Sequence, residues 1–399
     1  MGKENFETSK ITFLIPSRNN LELLKLAYKS IRQLKNQHEI LVLNDASVDG
    51  THEWLNSLKD EDLIVYTNAG PDRVGIVGMF DKGIEMATTD IIYAFHADMV
   101  AGKNLDVNTL KYLKRGKVVS ATRVEPPLHP PGPEKITEDF GIEPEDFSMD
   151  RWYSVDDVLL EQKGRTTNGI FAPWCMYKED FLSIGGHDEL FAPQSREDSD
   201  LFNRFVLNGY ELIQSWDALV YHFTSRGSRF NKYAGGDTGK DSPEWQQTNQ
   251  KNMRNFIRKW GTMVKHDTQL KPIVVPKYDI GFVVDNCTYE ALYQLEPWCS
   301  TIYGNFPKDM LPMYIRDEQK NTTLNLDDRV KYYGLKKSND VLVEFDAKEI
   351  TQEQFNYIVQ LPEILANDDE LETGKFNLGI FKITINKIKT YENENIHNS

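Results

Sequence analysis

Acidic and histidine side chains directly follow apolar runs at three places in the sequence. Asp45 follows EILVLN, His96 and Asp98 follow IIYAF, and His222 ends ALVYH. Apolar runs of this length are typical of buried strands, and ligands of α/β proteins bind beyond the carboxyl ends of such strands. The three places are therefore candidates for binding a cation or a polar ligand.

The segment His96-Ala97-Asp98 puts a carboxylate where a divalent ion could be held. Hard oxygen ligands suit Mg²⁺ or Mn²⁺, and these ions take only one or two protein carboxylates when phosphate oxygens supply other ligands. The alternative is an exposed polar strand end without a ligand. For His222, the alternative to a metal ligand is a structural histidine.

Two acidic segments lie at predicted helix starts. In LNDASVDGT, Asp45 is the better ligand contact, whereas Asp49 is expected to build the turn and cap the helix. In SREDSDLF, the acids Glu197, Asp198 and Asp200 fall in the first turn, where the helix dipole favours negative charge. Taken alone, this second segment would most often be helix capping.

An α/β pattern positions these residues. Apolar runs predict strands at residues 11–16, 39–43, 63–66 and 90–95, and amphipathic stretches between them predict helices at 20–34, 49–58 and 75–87. This alternation indicates a doubly wound α/β domain with a mixed, mostly parallel sheet. Further along the chain, a helix at 198–208, a strand at 218–222 and a helix at 245–260 are predicted.

Two loops are predicted around the candidate residues. After Ala121, the segment VEPPLHPPGPEKITEDFGIEPEDF is rich in proline, which excludes regular helix and central strand. Residues 227–244 are rich in Gly, Lys, Asp and Ser. We interpret residues 124–165 and 227–244 as lids that order when a ligand arrives.

A second α/β domain is predicted at 277–399, after a linker at 266–276, and its role is left open. It could mediate homo-oligomerisation. Its predicted elements are a strand in YDIGFVVDN, a helix over TYEALYQLEPWCSTIYG, a short strand in PMYIR, a strand in VLVEFD, a helix at 353–366 and a final strand in FNLGIFKITINKI. Residues 1–265 are assigned to the first domain.

The composition excludes several classes of protein. The chain has 46 Lys and Arg against 61 Asp and Glu, a net charge of −15 that disfavours general nucleic-acid binding. Three scattered cysteines do not form a disulfide framework. Without a signal peptide or an apolar run long enough for a transmembrane segment, the sequence predicts a cytoplasmic protein.

Five motifs in order make the chain similar to the inverting family 2 glycosyltransferases of the GT-A fold. The resemblance covers residues 11–261, about two thirds of the chain. It rests on IPSRN at 15–19, NDASVDGT at 44–51, HAD at 96–98, GGHDE at 185–189 and ED at 197–198 followed by NGY. The resemblance implies a nucleotide-diphospho-sugar transferase with a Rossmann-like catalytic domain.

The resemblance also implies a role for each motif residue. Asp98 stands in the metal-binding DxD position, and His222 is a second ligand for Mn²⁺ or Mg²⁺ because some relatives place a metal-binding histidine after this strand. Asp198 is the catalytic base, and Glu197, the other catalytic residue of the ED pair, orients the acceptor or supports the loop. The donor-binding residues are Pro16, Arg18, Asp45, Asp81 and His96. This sequence departs from the family in having His96 for the first Asp of DxD and Asp81 where Asn is frequent.

The sequence therefore predicts a metal-dependent, inverting glycosyltransferase. Its donor would be a UDP- or GDP-sugar, and its acceptor a glycan or another hydroxyl compound. A catalytically silent carbohydrate-binding or assembly protein is the alternative. A nucleotidyltransferase should show a Gly-rich phosphate loop after the first strand, and PSRNNLE at 16–22 contains no glycine.

Overall fold

The computed structural model of the protein describes residues 9–159, 164–227, 229–368 and 371–390. The chain divides into two compact units, residues 1–248 with 266–273, and residues 249–265 with 274–399. The strands are β1 Ile11–Ser17, β2 Glu39–Asp45, β3 Leu63–Asn68, β4 Ile91–Ala94, β5 Met99–Ala101, β6 Lys117–Glu125, β7 Ile136–Thr137, β8 Thr166–Thr167, β9 Trp174–Tyr177, β10 Glu211–His222, β11 Ile280–Asp285, β12 Thr301–Gly304, β13 Val330–Tyr332, β14 Val341–Asp346, β15 Gly374–Leu378 and β16 Phe381–Ile385. The helices are α1 Leu21–Arg32, α2 Thr51–Ser57, α3 Ile76–Met86, α4 Leu105–Leu110, α5 Met149–Leu159, α6 Lys178–Ser183, α7 Glu197–Leu207, α8 Pro243–Trp260, α9 Tyr289–Leu295, α10 Met310–Glu318, α11 Leu326–Arg329 and α12 Gln352–Ala366.

The first unit is built on one mixed sheet in the order β3-β2-β1-β4-β9-β6-β10-β5. Strands β3, β2, β1 and β4 pair in parallel, and β9 runs antiparallel between β4 and β6. Because β10 pairs in parallel with β6, the carboxyl ends of β1, β2, β4, β6 and β10 all lie at one edge. The mixed, mostly parallel sheet predicted from the sequence is confirmed.

The central strands form because their apolar residues are covered on both faces. Every residue of β2 is buried, as is expected for a strand between two layers of helices. In α1, the buried residues Leu23, Leu24, Ala27 and Ile31 recur at helical spacing, which gives the helix one apolar face toward the sheet. The alternation of apolar runs and amphipathic stretches predicted these elements correctly.

The proline-rich segment is more ordered than the sequence predicts. Strand β6 continues to Glu125, immediately before Pro126, and α5 occupies residues that the sequence analysis interpreted as loop. Phe140 and Trp152 are buried and pack with Tyr221 of β10, their ring centroids 5.6 and 5.9 Å from that of Tyr221. The prolines stop β6, but the aromatic residues after them anchor the segment in a small core of its own.

The second unit has a six-stranded sheet within the described residues, in the order β13-β12-β11-β14-β16-β15. Strands β13, β12, β11 and β14 are parallel, and β16 and β15 continue the sheet as an antiparallel hairpin. The predicted second α/β fold is therefore present, although three of its predicted elements are wrong. The TIYG end of the predicted long helix is β12, PMYIR lies in helix α10, and the predicted final strand is the β15–β16 hairpin.

These errors arise where short apolar runs do not distinguish helix from strand. The buried residues of α10 include Met310, Leu311 and Tyr314, a spacing of one and three that suits one face of a helix. Pro312 is accommodated in the first turn, where its missing N–H costs no intrahelical bond. Gly379 has φ 59°, a left-handed conformation that permits the tight hairpin turn.

Residues 249–265 group with the second unit, whereas the sequence analysis assigned them to the first domain. Ile257 of α8 belongs to the apolar core formed with Tyr278 and Ile280. The fully buried Arg258 donates hydrogen bonds to Glu296, at 2.7 Å between Nη2 and Oε2. Removing either member of such a buried pair is strongly destabilising, so this end of α8 is fixed to the second sheet.

Candidate active site

A cavity of about 540 Å³ lies in the first unit, at the edge where the parallel strands end. Eight of the nine site residues predicted from the sequence line it, and these are Pro16, Arg18, Asp45, His96, Asp98, Glu197, Asp198 and His222. They come from positions more than two hundred residues apart in the chain. Their convergence follows from the parallel strand directions, which carry one end of each strand to the same edge.

Three of these side chains form a group that could hold a metal ion. One ligand atom from each of His96, Asp98 and His222 lies within 4.8 Å of the other two. The sequence analysis assigned His96 to the donor rather than to the metal. His96 and Asp98 follow β4, and His222 ends β10, so the group joins two strand ends.

The Asp98 carboxyl group is buried but held in its charged form. Its Oδ1 atom is 3.7 Å from Nε2 of His222, and its Oδ2 accepts a hydrogen bond of 3.1 Å from the backbone N–H of Arg226. Burial alone would raise the pKa of Asp98, but the charge of His222, with that of His96 and the hydrogen bond from Arg226, outweighs it and lowers that pKa to about 2. A permanently ionised oxygen donor is what a hard divalent cation requires.

Glu125 holds the other side of the His222 ring. Nδ1 of His222 is 2.8 Å from Oε1 of Glu125, which also contacts Arg123 at 2.9 Å. Although burial lowers the pKa of His222, the carboxylates of Asp98 and Glu125 outweigh it and raise that pKa to about 9. The charges of Arg123 and His222 keep the pKa of Glu125 well below its usual range, against the effect of burial. A carboxylate behind a ligating histidine fixes the ring and its tautomer.

The acidic pair at the start of α7 also faces the cavity. Glu197 is buried and Asp198 partly exposed, and burial raises the pKa of both carboxyl groups. The charge of Asp198 raises the pKa of Glu197 further, whereas His96 and His187 oppose the shift at Asp198. Within the described residues, Oε2 of Glu197 is buried without a hydrogen-bond partner.

The geometry of α7 bears on the helix-capping alternative. The residue before the helix is Arg196, whose side chain makes no capping hydrogen bond. Ser195 and Arg196 have φ values of 78° and 73°, an unfavourable left-handed conformation of the kind that clusters at functional sites. Asp200, by contrast, is fully buried and bonds Arg204 at 2.9 Å within the helix. Asp200 is thus part of the scaffold.

The two aspartates of the 43–51 turn differ as expected from the sequence. Asp49 accepts hydrogen bonds from the backbone N–H groups of Leu21 and Thr51, so its predicted role in the turn is confirmed. Asp45 lines the cavity and accepts from the backbone N–H groups of Val74 and Gly75, at 2.8 and 2.7 Å. Asn68 donates a third hydrogen bond to Asp45.

Two arginines beside Asp45 share one carboxylate. Arg18 and Arg73 contact the same Oε1 atom of Glu244, at 3.3 and 2.7 Å. Arg73 lines the cavity but was not predicted, because it lies in the irregular segment before α3, where no apolar pattern marks it. Gly75, two residues after Arg73, has φ 90°, and a Cβ there would meet Pro193 at 2.3 Å.

Asp81 is the one predicted site residue that does not line the cavity. It lies in α3, and its Oδ1 atom is 2.6 Å from Nδ1 of His187. The ring of His187 stacks on Phe80 at 5.9 Å between centroids. Asp81 therefore contacts His187, and neither residue lines the cavity. The structure does not bring Asp81 to the other predicted donor-binding residues.

The arrangement combines a cation site with a carboxylate of raised pKa in one water-accessible cavity. The first can neutralise charge on a departing phosphate, and the second can accept a proton from a hydroxyl group. The mixed, mostly parallel sheet with these groups at its strand ends has the GT-A fold. Comparisons with known proteins show what the chain is similar to.

Residues 12–173 match the family described as "Glycosyl transferase family 2". The poly-beta-1,6-N-acetyl-D-glucosamine synthase of Staphylococcus aureus strain COL is 24% identical over 121 residues, 30% of this chain and 29% of that protein. The undecaprenyl-phosphate mannosyltransferase of Micrococcus luteus is 27% identical over 92 residues, 22% of this chain and 38% of that protein. The matches thus span well under half the length of these curated relatives.

Two solved structures are also similar. The structure of GalNAc-T7 with UDP, GalNAc and Mn²⁺ has a TM-score of 0.45 and 13% identity, covering 65% of this chain and 49% of that chain. The mannosyltransferase PcManGT from Pyrobaculum calidifontis, in complex with GDP-Man and Mn²⁺, has a TM-score of 0.40 and 17% identity, covering 63% and 64%. The match to the glycosyltransferase family covers residues 12–173, which lie within the first unit.

Every helix in the described part of the chain is too short or too polar to cross a membrane.

Proposed function

We propose that the protein is a metal-dependent, inverting glycosyltransferase that moves a sugar from a nucleoside-diphosphate donor to an acceptor hydroxyl group. The observation that carries this proposal is that His96, Asp98 and His222 share one cavity with Asp198. The cation site would face the donor diphosphate, and Asp198 the acceptor.

The chemistry of the donor set fits a divalent metal ion. Asp98 offers an ionised oxygen, His96 offers a ring nitrogen, and His222 offers Nε2 once the incoming cation displaces the proton that its raised pKa retains. Two imidazoles favour a transition metal over Mg²⁺, so Mn²⁺ is the better of the two predicted ions. A metal held there would act as a Lewis acid toward the leaving diphosphate.

Asp198 is the proposed general base. Burial raises its pKa above the usual aspartate value, which makes its carboxylate a stronger proton acceptor. The bond between the anomeric carbon and the diphosphate oxygen breaks as the acceptor oxygen bonds to that carbon, and the hydroxyl proton passes to Asp198. One such displacement inverts the anomeric carbon.

The donor is expected to lie between the ends of β1 and β2. Pro16, Arg18 and Asp45 line this part of the cavity, with Arg73 beside them. A carboxylate can accept about four hydrogen bonds, and the protein supplies Asp45 with three. Asp45 thus retains one lone pair for a base or ribose of the donor.

The test is a panel of UDP- and GDP-sugars incubated with Mn²⁺ and simple saccharide acceptors. It should include N-acetylglucosamine and mannose donors, because the relatives' names contain these sugars. We expect one donor to be consumed with Mn²⁺ but not with EDTA. The folded fraction of Asp98→Ala should show no reaction, and its melting temperature should fall because His222 and the Arg226 N–H lose a buried partner.

Three results would contradict parts of the proposal. Unchanged turnover in EDTA would remove the metal, and retention of anomeric configuration in the product, read by NMR, would exclude a single displacement. Binding of a nucleotide sugar with neither transfer nor hydrolysis across the panel would favour the silent carbohydrate-binding alternative.

A further inference from the structure

Arg226 connects the candidate metal site to the proline-rich segment. Its backbone N–H donates the 3.1 Å hydrogen bond to Oδ2 of Asp98, while its side chain extends away from the site. The guanidinium donates hydrogen bonds to the carboxylate of Glu143, at 3.1 Å, and to the carbonyl oxygen of Ile142. The two ends of one residue therefore hold two separate parts of the first unit.

The side chain of Arg226 is enclosed rather than solvated. Its side chain is 5% exposed, and Thr238 receives a third hydrogen bond from the guanidinium and donates one to Glu143. A buried charge is costly unless it is paired and hydrogen-bonded, so this cluster disfavours other positions of the residue. Arg226, Glu143 and Thr238 are called the Arg226 cluster below.

The backbone that leads to Arg226 is strained. Thr224 and Ser225 have φ values of 59° and 62°, in the left-handed region that disfavours residues with a side chain. Such a conformation persists only where surrounding contacts over-determine it. It turns the chain so that the N–H of Arg226 points back to Asp98, which lies 128 residues earlier in the sequence.

We propose that Arg226 is a positioning residue for the metal site. Its guanidinium, fixed by the Arg226 cluster, holds its own backbone N–H on Oδ2 of Asp98, which leaves Oδ1 directed to His222 and to the cation. The inference rests on the proposed metal-dependent function. It assigns a role to Glu143, which contributes no atom to the cavity wall.

The backbone position of the critical hydrogen bond makes the test sharp. Substituting the side chain of Arg226 or Glu143 does not remove the backbone N–H group of residue 226. A change in metal affinity would therefore show that this N–H group has moved away from Asp98. The variants are Arg226→Lys and Glu143→Gln. Lys232→Met is the matched control, because Lys232 contacts Glu143 at 3.8 Å from the exposed side without touching Arg226.

Mn²⁺ affinity of the full chain, measured with Mn²⁺ alone by electron paramagnetic resonance, is the first readout. Outer partners of metal ligands typically contribute 10- to 100-fold in affinity. We expect both variants to bind Mn²⁺ at least about tenfold more weakly. The control should bind as the wild type does. Hydrogen exchange at the Arg226 amide is the second readout and should become faster in Glu143→Gln.

The outcomes separate this proposal from the proposed function. Wild-type Mn²⁺ affinity in both variants, with unchanged exchange at the Arg226 amide, would overturn the positioning role and leave the metal site intact. Absence of Mn²⁺ binding by the wild type would overturn the metal site, and this role with it. If Arg226→Lys fails to fold, Glu143→Gln still decides the question, since it keeps the arginine and its bond to the Ile142 carbonyl.

Discussion

The imidazole of His222 lies between two carboxylates, with Nδ1 2.8 Å from Glu125 and Nε2 3.7 Å from Asp98. The pairing of β6 with β10 explains this contact, because Val124 lies opposite Tyr221 and each strand has one residue beyond that pair. Strand register therefore sets Glu125 level with His222. A hydrogen bond from Nδ1–H to Glu125 keeps the proton on Nδ1 and orients the ring, so that Nε2 is directed to the cation site.

Glu125→Gln should weaken Mn²⁺ binding by about 10- to 100-fold, as is typical when the partner of a ligating histidine is changed. The amide retains a similar size but lacks the charge that orients the ring. Calorimetric titration with Mn²⁺ measures the effect. Glu134→Gln is the control, because Glu134 contacts Arg123 at 3.9 Å, and His222 is not among its ion-pair partners within the described residues. If Glu125→Gln binds Mn²⁺ as tightly as the wild type and the Glu134→Gln control do, Glu125 contributes only to the fold.

Glu125 could not be predicted as part of the site because its importance comes from strand pairing. The alternation of apolar and amphipathic stretches stops after Ala121, and the prolines that follow predict a loop. In the structure, β6 continues for four more residues, and its parallel neighbour β10 comes from almost a hundred residues later. A glutamate directly before Pro126 at a strand end was the one local signal available.

Asp45→Asn should weaken nucleotide binding about tenfold, because a hydrogen bond to a charged group contributes roughly 1.5–3 kcal/mol. The measurement is the Kd of UDP and GDP by calorimetry in the presence of Mn²⁺. Asn68→Ala is the matched comparison, since it removes one hydrogen bond to Asp45 but leaves the carboxylate. An unchanged Kd for Asp45→Asn would remove Asp45 from the donor site.

The predicted site residues at strand ends and at the start of α7 line the cavity. Asp81, which lies in the middle of α3, does not. Strand ends are predictable because direction and sheet order carry them to one edge. The side of a helix that faces a cavity depends on packing, and Asp81 is turned toward His187 instead. In the second unit, short apolar runs such as that of α10 gave the wrong element, since helix and strand share them.

Glu197→Gln should change how stability depends on pH. Burial and Asp198 raise the pKa of Glu197, so the folded state retains a proton that the unfolded state loses above about pH 4.3. Stability of the wild type should therefore fall as pH rises from there to the raised pKa, and level off above it. Glutamine does not ionise, so the stability of the variant should not fall with pH for this reason. Its melting temperature should therefore exceed that of the wild type by a margin that grows with pH.

Thermal unfolding from pH 4 to pH 9 measures this margin. Glu179→Gln is the control, because that side chain is 81% exposed. A margin between Glu197→Gln and the wild type that stays constant with pH would show that Glu197 is ionised normally in the folded protein.

Asp198→Asn should reduce the rate of transfer by at least about a hundredfold, since general-base catalysis typically contributes 10²- to 10⁴-fold. The amide is nearly the same size but cannot accept the acceptor proton. Because Arg196, not Asp198, is the capping residue of α7, Asp198 contributes to the helix mainly through the helix dipole, typically 0.3–1 kcal/mol. The melting temperature and the Kd of the donor should therefore change little.

Asp200→Asn in the same turn is the matched control. Asp200 is buried in a 2.9 Å pair with Arg204, and breaking such a pair costs about 3–5 kcal/mol. This variant should lose stability while its folded fraction transfers sugar at the wild-type rate. The two aspartates thus separate a chemical role from a structural one within one helical turn. If Asp198→Asn instead loses stability and keeps its turnover, Asp198 serves the helix, and Glu197 becomes the next carboxylate to test as the base.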